Sequence, residues 1–500
     1  MSRRLTVLST AVLLLFVVVA AQAANVQFFR ASALDKSNLN PRNYVSLTQY
    51  PRGEIIAADG TVLAQSVPSG DAFNPYKRVY PLGSLTSGIV GFVSPYYGTV
   101  KFLEAEYNSY LTAHAQPPQS LVQVLAPTTG ADSVTLTLLP ALQQVARTAL
   151  AGRDGAAVVL NPTTGAVLAI YSNPNYDPRP MTSTLKSVAV PYWKKINKNN
   201  SHGFPELGLL ATQQSFPPGS TFKVITTAAV VAGRPDLLFK KYHYGSFTAL
   251  PHSNQLLHNS GGSPCGGLIK VMLPESCDPG YALVGLDVGA PLLASTAQSF
   301  GYDAVPPIDL PGAVASNFPP AASFSDNLPG LAYSAIGQEN VRATALQGAM
   351  EAAAIANNGI IMTPHLMSEI TGPDGSIVKR YKPVAWLSPL TPPEAQQIVP
   401  MMQNVVKFGT AYGIFPACED VAAKTGTAQV GNAVDNTDDW MIAFAPATHP
   451  TVAVAVVVPF QPKSAFGATV AGPIVKALVA AALALQDGRP ASGTPTICGG

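Results

Sequence analysis

A five-stranded antiparallel sheet layered with helices, in the mixed α/β (α+β) class, is the fold that the sequence predicts for most of its length. Three observations predict it. Two apolar strand-like runs stand early, at 157–160 and 166–171, three stand late, at 421–429, 440–445 and 452–458, and helical patterns fill the interval. The early pair is joined by Asn161-Pro162-Thr163-Thr164-Gly165, a run of residues that favour a hairpin loop. The late three lead into an Ala-rich run in which Pro473 is placed to open a helix ending near Leu485.

The chain has 500 residues, more than one core usually supports, so two folded domains and an accessory segment are expected. Hydrophobic residues make up 47% and charged residues 12%, a balance that excludes a largely disordered chain. A net charge of +2 without any long Lys/Arg run excludes a nucleic-acid footprint. The 45 prolines and 41 glycines point to many turns, and no fixed-period repeat is present.

The N-terminus sets the compartment. Arg3 and Arg4 precede a stretch with no charge from Leu5 to Phe29, centred on apolar residues 12–21. This reads as a single membrane-spanning helix with its N-terminus in the cytoplasm and the rest of the chain outside, at the plasma membrane. A signal peptide cleaved near Ala21-Gln22-Ala23 is the rival reading, and both export the protein. The expected organisation is a stub and anchor at 1–24, a smaller mixed domain at 25–149, the main domain at 150–486 and a mobile tail at 487–500. Within the smaller domain, Asp59-Gly60 signals a hairpin turn, 78–111 is partly helical, and 119–131 reads as strand and loop.

Four cysteines, Cys265, Cys277, Cys418 and Cys498, show no zinc-like spacing. Outside the cytoplasm Cys265 and Cys277 are near enough to close a short disulfide loop. Two buried thiols fit the sequence equally well.

The chemistry centres on Ser220-Thr221-Phe222-Lys223, which follows Pro217-Pro218-Gly219 and opens an apolar run ended by Gly233 and Pro235. Prolines cannot lie inside this helix, so it begins near Ser220 and puts Ser220 and Lys223 one turn apart on one face. Free N–H groups at a helix start suit an anionic intermediate. Serine needs an adjacent base, and an apolar setting lowers a lysine pKa enough for Lys223 to serve. Ser183-Thr184-Leu185-Lys186 matches the same pattern, but lacks the capping prolines and the apolar helix. Further on, Lys424-Thr425-Gly426-Thr427 offers a cation and two hydroxyls for a substrate carboxylate, with Gly426 permitting close backbone approach. Ser-x-x-Lys with Lys-Thr-Gly, completed by Ser-Asp-Asn, is the trio of penicillin-binding proteins and class A β-lactamases.

On these residues the chain resembles a class B penicillin-binding protein, close to the penicillin-binding protein A group of actinobacteria. The resemblance extends over nearly the whole length. Arg52-Gly53-Glu54-Ile55, Tyr80-Pro81-Leu82-Gly83, Gly88-Ile89-Val90-Gly91, Gly337-Gln338-Glu339 and Thr344-Ala345-Leu346-Gln347 are similar to that family's ordered motifs. It implies a penicillin-binding/β-lactamase-like transpeptidase domain behind a pedestal or dimerisation-like domain. Its substrate would be the peptidoglycan stem peptide ending in D-Ala-D-Ala, which β-lactams mimic. No metal or organic cofactor is called for.

By the same resemblance, Ser220 attacks the penultimate carbonyl, Lys223 takes its proton and Ser276 relays a proton to the leaving amine. Lys424, Thr425 and Thr427 hold the terminal carboxylate, while backbone N–H groups of Ser220 and Thr427 form the oxyanion hole. A membrane glycosyltransferase is the implied partner, in septation or elongation. The third motif departs from the family pattern. Ser276-Cys277-Asp278 stands where Ser-x-Asn is expected, so Asp278 is the substrate-binding residue, and a carboxylate accepts hydrogen bonds where an amide also donates. A literal Ser325-Asp326-Asn327 lies in a Pro-rich loop. A D,D-carboxypeptidase or serine β-lactamase shares the chemistry, but residues 25–149 weigh against both. A non-catalytic cell-wall scaffold is the reading from another class, with Asp278 as its mark.

Overall fold

The computed structural model describes residues 3–25, 48–115, 129–417, 419–430 and 436–491. The predicted sheet is present: β1 (Gly155–Leu160), β2 (Val167–Asn173), β3 (Ala422–Val430), β4 (Asn436–Ala445) and β5 (Val452–Pro462). Their order is β2-β1-β5-β4-β3, and every pairing is antiparallel. β1, the second half of β4 and most of β5 are apolar on both faces because both faces are covered. Helices α1 (Pro140–Leu150), α3 (Ala345–Ala356) and α4 (Gly467–Gln486) cover the faces of the sheet, and α2 (Lys223–Gly233) follows a turn, Gly219–Phe222, that packs on β3.

Val454, Val456 and Val458 of β5 pack with Ala471, Ile474 and Leu478 on the α1/α4 side. On the other face lie Ala453, Ala455 and Val457, together with Trp440, and α3 packs there. The Thr344 side chain caps α3 by accepting from the Gln347 N–H at 3.0 Å. All twelve residues of α3 are buried, which accounts for its run of alanines.

The C-terminal helix corrects one expectation. Pro473 does not open it but sits inside α4, which begins two turns earlier at Gly467. The missing proline N–H removes a hydrogen bond to the carbonyl of Thr469. Burial of one side of α4 against the sheet outweighs that local cost. α4 is long and apolar enough to cross a membrane, yet it packs on β4 and β5, so it is a core helix of this layer.

A second, six-stranded sheet unites distant segments. Ile55–Ile56, Val62–Pro68, Tyr76–Val79 and Ser133–Leu136 are joined by Met367–Thr371 and Ile377–Arg380, from beyond α3. The Asp59-Gly60 turn connects the first two as predicted. Beside this sheet the buried Glu104 carboxylate accepts from Arg52 Nε and Arg78 Nε, each at 2.7 Å. Tyr80 Oη adds a third hydrogen bond at 3.2 Å. A buried carboxylate is tolerated only when paired in this way.

The N-terminal helix, Arg3–Ala24, stands apart, with side chains from Val12 to Val19 between 47% and 71% exposed. Cys418 and Cys498, residues 119–128 of the expected strand and loop, and 492–500 of the expected tail lie outside the described residues. Cys265 and Cys277 are joined in a disulfide, which decides between the two sequence readings.

Candidate active site

The Ser220 turn is built by close backbone approach. Gly219–Phe222 form a single 3-10 turn leading directly into α2. The Gly219 N–H donates to the Gly337 carbonyl at 2.9 Å, and the Trp440 indole N–H donates to the Pro217 carbonyl at 2.9 Å. Gly337 has φ +74°, and a Cβ there would lie 2.1 Å from the Gly219 oxygen. A Cβ on Gly426 would lie 2.6 Å from the Pro218 oxygen. The Gly337-Gln338 and Lys-Thr-Gly motifs therefore have a steric function: they let two segments clamp the turn bearing Ser220.

The third wall is the turn between helices Ile269–Glu275 and Asp278–Val288. Ser276 ends the first helix in the left-handed region, at φ 56° and ψ 40°, a conformation costing a non-glycine residue about 1 kcal/mol or more. Its N–H donates to the Leu273 carbonyl at 3.1 Å. The Cys277–Cys265 disulfide ties the turn to the strand Cys265–Gly267. Asp278 is fixed from both ends: its N–H donates to Asn259 Oδ1 at 3.0 Å, and its Oδ2 accepts from the Ser260 N–H at 3.0 Å.

These walls converge on four polar groups beside Ser220. Lys223 Nζ donates to Asp278 Oδ1 at 2.6 Å and to the Ser276 carbonyl at 2.7 Å, with Ser276 Oγ at 3.4 Å. Lys424 Nζ donates to Ser276 Oγ at 2.7 Å and to the Thr425 carbonyl at 2.9 Å. Ser220 Oγ donates to Asp278 Oδ1 at 3.5 Å. Both lysines are fully buried. Burial pulls the Lys223 pKa below the ordinary lysine value, and Asp278 opposes that pull. Lys424 lies well below it, through burial and the neighbouring charge of Lys223, with Asp278 again opposing.

Lys424, Thr425, Gly426 and Thr427 lie on β3, the strand at the sheet edge. The Thr425 hydroxyl shares a 2.6 Å hydrogen bond with Thr410, and Thr427 Oγ1 accepts from the Gly467 N–H at 2.9 Å. Ser276 thus meets both lysines, and Asp278 meets Lys223. Ser325-Asp326-Asn327 has another use, for Asn327 Oδ1 accepts from the Gly330 N–H at 2.9 Å and caps helix Leu328–Ser334. Ser183 Oγ accepts from the Leu185 N–H at 3.1 Å beside an exposed Lys186. Asn259, Ser260 and Thr410 were missed by sequence reasoning, because no local motif marks them.

Residues 155–480 match the penicillin binding protein transpeptidase domain, and residues 52–135 match the penicillin binding protein A dimerisation domain. The chain belongs to the penicillin-binding protein family. The peptidoglycan D,D-transpeptidase PbpA of Mycolicibacterium smegmatis is 35% identical to this penicillin-binding protein, over 97% of this chain and 99% of that one. A crystal structure of penicillin-binding protein A from Mycobacterium tuberculosis superposes with a TM-score of 0.77 at 32% identity, over 87% of this chain and all of that one. Its penicillin G acyl-enzyme complex matches with the same score, identity and coverage.

Proposed function

We propose that this penicillin-binding protein is a serine D,D-transpeptidase that cross-links peptidoglycan stem peptides in cell-wall synthesis and is acylated by β-lactams. The observation that carries the reading is the convergence of Lys223, Ser276, Asp278 and Lys424 around Ser220. Ser220 is the nucleophile. It attacks the penultimate carbonyl of D-Ala-D-Ala, releases the terminal D-Ala, and the acyl group passes to an amine of a neighbouring strand.

Ser276 Oγ, next to both lysines, is placed to hand a proton to the leaving amine. The edge position of β3 supports a role for the Thr427 N–H, with that of Ser220, as the oxyanion hole. Lys424 and Thr427 then hold the terminal carboxylate. Thr425 joins them once its hydroxyl turns from Thr410. The exposed apolar helix Arg3–Ala24 supports a single-pass anchor in the plasma membrane, with the catalytic part outside. A pedestal at 25–149, a transpeptidase unit at 150–486 and a membrane glycosyltransferase partner complete the reading.

A labelled penicillin tests it. Covalent labelling that disappears in Ser220→Ala is the expected result. Absence of labelling in the wild type, or labelling that survives Ser220→Ala, would sink it.

A further inference from the structure

A general base must reach the proton it removes. Among the described residues, the hydrogen-bond partner of Ser220 Oγ is Asp278 Oδ1, at 3.5 Å, and not Lys223. Such contacts shorten when substrate closes the site. Lys223 Nζ is meanwhile surrounded by three oxygens: Asp278 Oδ1 at 2.6 Å, the Ser276 carbonyl at 2.7 Å and Ser276 Oγ at 3.4 Å. The carboxylate and the carbonyl carry no proton to donate, and the two lone pairs of Ser276 Oγ accept from both Lys223 and Lys424. Three acceptors match the three N–H donors of an ammonium, and 2.6 Å is the length of a charge-assisted bond. An ammonium has no lone pair for the serine proton.

We propose that the carboxylate of Asp278, rather than the amine of Lys223, takes the proton from Ser220. The assignment rests on the transpeptidase reading above and changes the base within it. Ser220 Oγ bonds to the substrate carbonyl carbon as its proton passes to Asp278 Oδ1. The carbonyl C–N bond then breaks, and the leaving nitrogen receives the Ser276 Oγ proton. Lys223 replaces that proton on Ser276, and Asp278 returns the original one to Lys223. Asp278 ends as a carboxylate, Lys223 as an ammonium, and the net movement is one proton from serine to the leaving amine.

The surroundings suit this exchange. Asp278 faces Lys223 from α2, Lys424 from β3, and uncharged Asn259 and Ser260 from the adjoining loop. Lys223 also lies over the Tyr281 ring, 5.5 Å from its centre, which favours the charged form. An amide at position 278 would leave no carboxylate to accept the proton.

The experiment is the pH dependence of penicillin acylation in the full-length wild type and Asp278→Asn. With asparagine the proton must go to a neutral Lys223. The rising limb is then expected to move to higher pH, with the rate at pH 7 falling by about tenfold or more. If Asp278 only holds Lys223 protonated, the limb moves to lower pH and the rate rises. That result, or an unchanged profile, overturns the proposal.

Wild type that acylates at no pH refutes the transpeptidase reading itself, whereas an acylating wild type with the wrong shift refutes only the Asp278 assignment.

Discussion

Lys424 Nζ donates to Ser276 Oγ at 2.7 Å, bridging the edge strand and the turn that follows helix Ile269–Glu275. The contact joins residues 148 apart and orients the hydroxyl that faces the leaving group. Ser276→Ala removes both the relay and an acceptor of a buried cation. Acylation by a fluorescent penicillin is expected to fall roughly a hundredfold or more. A stopped-flow rate within twofold of wild type would refute the relay.

The Cys265–Cys277 bridge closes a loop with a sequence separation of 12. Replacing both cysteines by serine is expected to lower unfolding free energy by about 3 kcal/mol, from the entropy of the opened chain. Acylation should also slow, because Ser276 and Asp278 flank Cys277. Denaturant titration together with labelling rates checks both effects.

Glu351 is fully buried on α3, and its pKa is pushed up to about 7 by burial, against 4.5 ordinarily. Its Oε1 accepts from Tyr302 Oη at 2.8 Å, while Oε2 and the Gln347 Oε1 one turn away have no donor. One proton on Glu351 satisfies both orphans. The folded state therefore binds more protons between the two values, so this contribution is full below pH 4.5 and lost as pH rises through about 7. About 3 kcal/mol is at stake. Glu351→Gln should flatten that decline, as read from urea unfolding at pH 5 and pH 8.

Gly337→Ala places a methyl 2.1 Å from the Gly219 carbonyl at a positive φ. Stability should fall by at least about 1 kcal/mol, and the Ser220 turn should be displaced. A melting curve and the acylation rate should drop together. A melting temperature equal to that of the wild type would show that the turn has room to relax.

Deleting residues 3–25 removes the exposed apolar helix while α4 keeps its place in the core. The shortened protein is expected in the soluble fraction after cell lysis, still labelled by penicillin. Retention in the membrane fraction would contradict a single N-terminal anchor.

Local patterns located the five strands through their apolar runs, and Gly/Pro turns bound the first two, but β4 begins four residues before the run at 440–445 because buried Thr437, Asp438 and Asp439 break the apolar pattern. The α2 start was legible locally too, since Pro217 and Pro218 leave few alternatives to a helix opening near Ser220. Pro473 was misread because its first-turn preference is local, whereas α4 is held by a sheet elsewhere in the chain. Tertiary structure alone decided that Ser276, not Ser325, meets the lysines, that Cys265 bonds Cys277, and that strands 367–380 complete the other sheet. It also turned Asp278 from an exception to a motif into the carboxylate bridging Ser220 and Lys223. Those facts depend on distances between segments from about a dozen to hundreds of residues apart, and only the packed chain sets such distances.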